Sequence, residues 1–212
     1  MSTESVRIVA IEYHEPEWEE TKKAIKACHV PVTWVDRDGT GSMAAAYNHG
    51  FAAEIGDEEY VWFMSNPVFN PKILHRLVGA LKVSPMTAAV HPAFHSDHAF
   101  CRPSGRDEVT DVPFLEFTCP LVRAKVFYEH RLDERMPYWG HDLDWGYRIK
   151  KAGYSLSVHH GTLVQHVYVR NSRKYGVTAQ RAMLRKMTDI STTNVLVDKY
   201  GSDWAHTLKR HG

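Results

Sequence analysis

VDRDGTGSMAAAYNHGFAAEIGDEEYVWFMSNPVF, residues 35 to 69, decides how the chain is read. It opens at the end of an apolar, β-branched run, PVTWVD (31–36), and crosses a Gly-rich turn. An Ala-rich segment follows, with Met43, Ala46, Phe51 and Ile55 as its apolar positions, and this predicts a helix over 43–55. It ends in YVWFM (60–64), which shows no polar alternation and reads as a strand buried on both faces. Strand, helix and buried strand in succession form the βαβ unit of a parallel sheet. In SNPVFNP the two prolines cannot join a central ladder, so the strand is expected to stop at Met64.

The same alternation extends in both directions. VRIVAIEY (6–13) predicts a first strand, and a helix is expected from about Pro16 to Cys28, with Glu19 and Lys23 four residues apart. Downstream, a helix over 71–82 precedes a strand at TAAVHP (87–92). Residues 94–112 are polar and irregular and predict a long loop, a candidate lid. FLEFTCPLV (114–122) predicts a strand, 142–152 a helix ending at Gly153, and SLSV and TLVQHVYV two short strands. The remainder, 170–212, reads as helical and polar. The pattern therefore predicts an α/β fold whose first half is parallel and whose second half is mixed. In such sheets ligands bind beyond the carboxyl ends of the strands.

Composition narrows the function classes. A chain of 212 residues is long enough for one sizeable core. A net charge of +1 provides no global field toward nucleic acid or membrane. Three cysteines without a CxxC fit a reduced, cytoplasmic protein. No basic leader with a long apolar run opens the sequence, and no run approaches a membrane span, so neither a signal peptide nor a transmembrane segment is expected.

Several groups of residues carry chemistry. Asp36 and Asp38 stand at a strand end, where a carboxylate accepts hydrogen bonds from a base or a ribose, or simply solvates a turn. Ser65 and Asn66 end the most buried strand, in what is otherwise a Pro-containing turn. His159, His160 and His166 form HHGTLVQH, whose spacing matches no standard zinc pattern. Arg170, Arg173, Lys174, Arg181, Arg185 and Lys186 make a basic run that suits either a diphosphate clamp or a solvated helix face. The sharpest signal is YWGHDLDWGYRIKKAGY (138–154). An N-cap role would account for Asp142, but not for Asp144 or for the aromatic crowd of Trp139, Trp145 and Tyr147. A carboxylate desolvated beside Trp rings suits a general base, and Trp faces stack on sugars.

These residues give a resemblance. RLDERMPYWGHDLDWGYRIKKAGY (131–154) is similar to the stretch around the Glu-Asp catalytic pair of family-2 glycosyltransferases, with its following Asp, Arg-containing helix and Gly-aromatic end. Residues 35–69, with a strand-end Asp and an Asn-x-Gly in the next helix, also look like that family. The likeness covers roughly residues 6–170. It implies a GT-A fold, a Rossmann-like mixed central sheet flanked by helices, with 1–170 as the transferase domain and 171–212 as a helical extension packed on it. It further implies transfer from a nucleotide-diphospho-sugar, by family analogy a UDP-sugar, to a hydroxyl acceptor. That acceptor is a glycan or another hydroxyl bearer, modified DNA among them.

By position, the resemblance makes Asp142 the general base of an inverting displacement, with His141 and Asp144 beside it. It makes Asp36, Asp38, Ser65 and Asn66 donor-binding, Trp139 and Trp145 acceptor-binding, and His166 a metal ligand. Two departures stand out. The family's Asp-x-Asp, which holds Mn²⁺ or Mg²⁺, reads Ser65-Asn66-Pro67 here, and the Glu of the catalytic pair is His141. The first departure keeps open a degenerate GT-A domain that binds a nucleotide sugar or glycan without catalysis. A metal hydrolase built on the histidine cluster is a third reading.

Overall fold

The computed structural model describes residues 5–12, 18–36, 42–54, 56–65, 67–96, 98–137, 139–166 and 179–210; for His166, 179–189 and 209–210 the description is of the backbone. Asp38, Asn66 and the basic positions Arg170, Arg173 and Lys174 lie outside the described residues, as do the side chains of His166, Arg181, Arg185 and Lys186.

The strands are β1 (Val6–Glu12), β2 (Val32–Asp36), β3 (Tyr60–Met64), β4 (Pro67–Phe69), β5 (Thr87–Ala93), β6 (Val109–Asp111), β7 (Leu121–Arg123) and β8 (Ser155–His166). The helices are α1 (Trp18–Lys26), α2 (Met43–Glu54), α3 (Ile73–Val83), α4 (Ala124–Glu129), α5 (His141–Lys151), α6 (Ala179–Tyr200) and α7 (Trp204–Arg210). One mixed sheet runs in the order β2-β1-β3-β7-β5-β8-β4, with β6 pairing β8. β1 is parallel to both β2 and β3, β5 is parallel to β8, and β7 runs antiparallel between β3 and β5. The fold is thus the α/β, mixed-sheet architecture expected from the sequence.

Both faces of the sheet are covered, which explains the unbroken apolar runs. On one face Val9, Ile11, Val61 and Phe63 pack with Tyr47 and Phe51 of α2, Phe127 of α4 and Trp145 and Ile149 of α5. On the other, Ile8, Ala10, Trp62 and Met64 pack with Ile25 of α1 and Leu74 and Leu77 of α3. Gly50 explains the Asn-x-Gly of α2: a Cβ there would lie 2.4 Å from Val35 Cγ2 and 2.6 Å from Val9 Cγ1. Asn48 of the same motif donates to Leu132 O and accepts from Leu132 N–H, tying α2 to the approach to α5.

Four expectations are corrected. Residues 114–120 are not strand; only Leu121–Arg123 joins the ladder. Prolines 113 and 120 cannot donate to it, and Phe114, Leu115 and Phe117 enter the core from irregular backbone instead. The two short strands after α5 are one, β8, which meets β5 and β6 along its first part and β4 along its last three residues. Pro67 starts a strand, allowed because β4 is a three-residue edge strand. A helix not anticipated, α4, follows β7 directly.

The loop 94–112 contains a short 3₁₀ turn at Ala99–Cys101 and β6. Among the described residues, no helix is long and apolar enough to cross a membrane. Two helical glycines provide a contrasting test of the packing. Gly50→Ala is expected to cost about 1–3 kcal/mol by overpacking. Gly79→Ala, with open space around its Cβ, is expected to add roughly 0.5–1 kcal/mol. Urea unfolding of both variants checks the sign of each.

Candidate active site at the carboxyl edge of the sheet

Parallel pairing sets Asp36 opposite Glu12 and Met64 opposite Ala10, so the ends of β2, β1 and β3 form one edge. Asp36 is exposed there. Ser65, the next residue after β3, is buried, and its N–H and hydroxyl both reach Thr118 O, at 2.9 and 3.2 Å. Thr118 is fixed in turn by the buried His91 of β5: its hydroxyl lies 2.8 Å from Nε2, which also accepts Cys119 N–H at 3.3 Å. With Nε2 accepting, Nδ1 carries the proton and donates to Pro92 O. The segment 114–120 therefore runs across the edge of β3 and joins the expected donor side to α5. Phe117 meets the Trp145 ring at 5.1 Å and the His141 ring at 6.3 Å.

Helix α5 starts at a left-handed Gly140 (φ 84°). That φ suits glycine, and a Cβ would press to 2.7 Å on Thr192 Cγ2 of α6. His141 is buried and donates from Nδ1 to Met136 O at 3.1 Å, leaving Nε2 as the accepting nitrogen. Burial pushes its pKa down despite the nearby Asp142 carboxylate, so the ring is neutral at pH 7. Asp142 is half-buried in the first turn, with Oδ1 accepting Leu143 N–H at 2.9 Å.

Asp144 does different work. It is fully buried and receives Arg148 Nε at 2.8 Å, Tyr200 OH at 2.6 Å and Lys199 Nζ. Lys199 also holds Asp133 at 3.0 Å, and burial together with Asp144 drives the Tyr200 phenol pKa up. The expected grouping of Asp144 with the catalytic residues is corrected: its oxygens are spent binding α6 to α5. Trp145 is corrected too. It lies wholly in the core with Nε1 bonded to His130 O at 2.7 Å, so it presents no face to an acceptor. Trp139 packs on the Trp204 ring of α7 at 6.3 Å.

The sequence reading missed Glu116. It sits in 114–120 and accepts a hydrogen bond from the Ser96 hydroxyl of the 94–112 loop. Glu116 and Asp142 both lie close enough to Cys101 to help burial push its thiol up to about 12. The available signal was a lone carboxylate inside the apolar run FLEF.

Within the histidine cluster, the described side chains of His159 and His160 turn to different partners. His160 is held between Arg102 O and Thr110 Oγ1, both at 2.8 Å, while His159 lies 3.8 Å from Asp107. Among the described residues no three His, Cys, Asp or Glu side chains come together to hold a metal. The described donors at 65–67 are a hydroxyl bonded to Thr118 and a proline, a set that does not fit a hard divalent ion. At backbone level His166 is paired with Pro67 across β4 and β8.

No family model matches the chain, and no curated protein sequence does. Solved structures do. GalNAc-T7, crystallised with UDP, GalNAc and Mn²⁺, matches with a TM-score of 0.54 and 11% identity over 76% of this chain; the chain spans only 43% of that protein. The catalytic domain of Drosophila β1,4-galactosyltransferase 7, with xylobiose, gives 0.58 and 16% identity, covering 86% of this chain and 80% of that one. Glucosyl-3-phosphoglycerate synthase from Mycobacterium tuberculosis, with Mn²⁺, UDP and phosphoglyceric acid, gives 0.53 and 11%, covering 74% and 71%. These neighbours are GT-A glycosyltransferases.

The chain has the GT-A fold. At these identities the likeness is one of architecture. Within a GT-A fold, the edge carrying Asp36, Ser65 and Asp142 is the carboxyl edge where ligands of such sheets bind.

Two outcomes follow for stability. Asp144→Asn leaves Arg148 and Lys199, both partly exposed, facing a neutral group and is expected to cost about 1–3 kcal/mol in urea unfolding. His141 and His159 both have pKa values lowered by burial, so the unfolded chain binds more protons below about pH 6.5. The unfolding free energy is therefore expected to fall as pH drops from 7.5 to 5.5. His159→Gln should flatten part of that slope.

Proposed function

We propose that this chain is an inverting glycosyltransferase that moves a sugar from a nucleotide-diphospho-sugar, such as a UDP-sugar, to an acceptor hydroxyl. The carrying observation is Asp142: a half-exposed carboxylate in the first turn of α5, at the carboxyl edge of a GT-A sheet. Asp142 takes the proton of the acceptor hydroxyl as that oxygen attacks the anomeric carbon. The bond from the anomeric carbon to the phosphate oxygen breaks, and the nucleoside diphosphate leaves with the electron pair. Attack opposite the leaving group inverts the anomeric centre. Asp36 and Ser65 serve the donor; Asp38 and Asn66 are assigned with them from the sequence.

His141 is a neutral support under Asp142 in this reading, not a proton donor, because its Nδ1–H is committed to Met136 O. Positioning two substrates side by side supplies much of the rate. The described residues at 65–67 do not fit a divalent ion, so no step is routed through one. The charge of the departing diphosphate is left to the basic run from 170 to 186, outside the described side chains. The reading takes 1–170 as the transferase domain and 171–212 as an extension on it, which the packing of Leu196 and Leu208 against Met136 supports. Nothing in the described residues favours modified DNA as the acceptor.

The absence of carboxylates at Ser65-Asn66-Pro67 favours one second reading: a GT-A domain that binds a nucleotide sugar or glycan without turnover. A thermal-shift panel of nucleoside diphosphates and nucleotide sugars, each with Mn²⁺, with Mg²⁺ and with chelator, separates the two when paired with a turnover assay. Asp142→Asn is expected to lower transfer by about 10²–10⁴ fold while leaving the nucleotide-induced shift in place. Full activity in that variant removes Asp142 as the base. A nucleotide shift with no turnover on any acceptor selects the binding-only reading.

A further inference from the structure

Of the two tryptophans singled out in the sequence, Trp145 lies wholly in the core, yet an aromatic surface stands beside Asp142. His98, exposed on the 94–112 loop, stacks on Phe100 with centroids 5.5 Å apart and planes 16° from parallel. Phe114 meets both rings edge-on, at 4.9 Å from His98 and 5.2 Å from Phe100. Phe114 is itself wedged against α5: the Cβ that Gly146 lacks would lie 2.8 Å from Phe114 Cβ. Gly146 is one helical turn after Asp142, on the same face. The platform and the carboxylate thus belong to one wall.

We propose that the His98–Phe100 stack, backed by Phe114 and flanked by Glu116, is the acceptor subsite and takes the apolar face of a pyranose ring. This rests on the transferase reading above and names its acceptor class as a saccharide. Three features carry it. Aromatic rings with a few placed polar groups are what a small-molecule site requires.

Glu116 supplies the polar group. Its carboxylate accepts the Ser96 hydroxyl, which holds it against the loop that carries the stack. The loop is also preorganised. Phe94 N–H donates to Cys101 O at 2.9 Å, Arg102 Nε to Ser96 O at 2.8 Å, and His98 N–H to Ser96 Oγ at 3.0 Å. A platform already fixed in place loses little entropy on binding.

The test uses the whole chain, with and without UDP, titrated with xylobiose, cellobiose, lactose and maltose while the His98 ring resonances are followed by NMR. At least one saccharide is expected to move them. His98→Ala, at an exposed position that folding tolerates, and Glu116→Gln are each expected to weaken that saccharide about fivefold or more, the scale of one aromatic or hydrogen-bonding contact. UDP binding by thermal shift should be unchanged in both variants. Silence of His98 toward all four saccharides overturns the subsite, as does undiminished saccharide binding in His98→Ala. The UDP shift reports separately: UDP binding with a silent His98 sinks the subsite alone. A responding His98 with no nucleotide binding retains the platform and sinks the transferase reading.

Discussion

The buried carboxylate of Asp144 is the constraint on which the second half of this molecule depends. It takes a guanidinium from its own helix and an ammonium and a phenol from α6; the carboxylate is wholly buried while its partners reach it from partly exposed positions. Such a group is tolerable only because every charge is met; with a partner removed, the desolvation cost stands uncompensated. Arg148 also donates to Arg131 O at 2.6 Å, and Lys199 to Asp133. One carboxylate thereby fixes the approach to α5, the helix itself and the C-terminal helix against one another. Gly140, pinned under Thr192, sits at the same junction and turns the chain into the first helical turn. The position of Asp142 is a consequence of that anchorage.

The adjoining part of the wall is built by a segment that is neither helix nor strand. Residues 114–120 hold Ser65 through Thr118 O, are held by His91 through Thr118 Oγ1, and carry Glu116 toward the 94–112 loop. Their apolar members Phe114, Leu115 and Phe117 supply the burial that irregular backbone needs to remain in place. The edge of the sheet is thus tied to the helix through buried hydrogen bonds and ring contacts rather than through exposed ion pairs, which contribute little.

Two kinds of residue were read from the sequence with different success. The strands β1, β2, β3 and β5 were legible because burial on both faces requires unbroken apolar runs. Gly50 was legible as part of Asn-x-Gly, and the structure supplies the reason in the contact with Val9 and Val35. Asp142 was singled out through its neighbours. Asp144 and Trp145 were legible as unusual but were given the wrong employment, since a carboxylate among aromatics reads the same in a string whether it faces substrate or a buried lysine. Glu116 was overlooked because FLEFTCPLV carries the apolar signature of a strand, and only the prolines at 113 and 120 hint otherwise.

The sequence by itself determined the α/β order, the buried strands and the helix that bears Asp142, because these depend on local periodicity and on short-range helix-end chemistry. Only the tertiary structure decided which of two aspartates two residues apart is half-exposed and which is locked to Lys199 and Tyr200. It alone brought Ser96 to Glu116 and set the His98–Phe100 stack on Phe114, which lies against Gly146 of α5. The Glu116 and Asp144 pairings join positions twenty and more than fifty apart, and no periodicity in a chain encodes which distant partner will neutralise a buried charge.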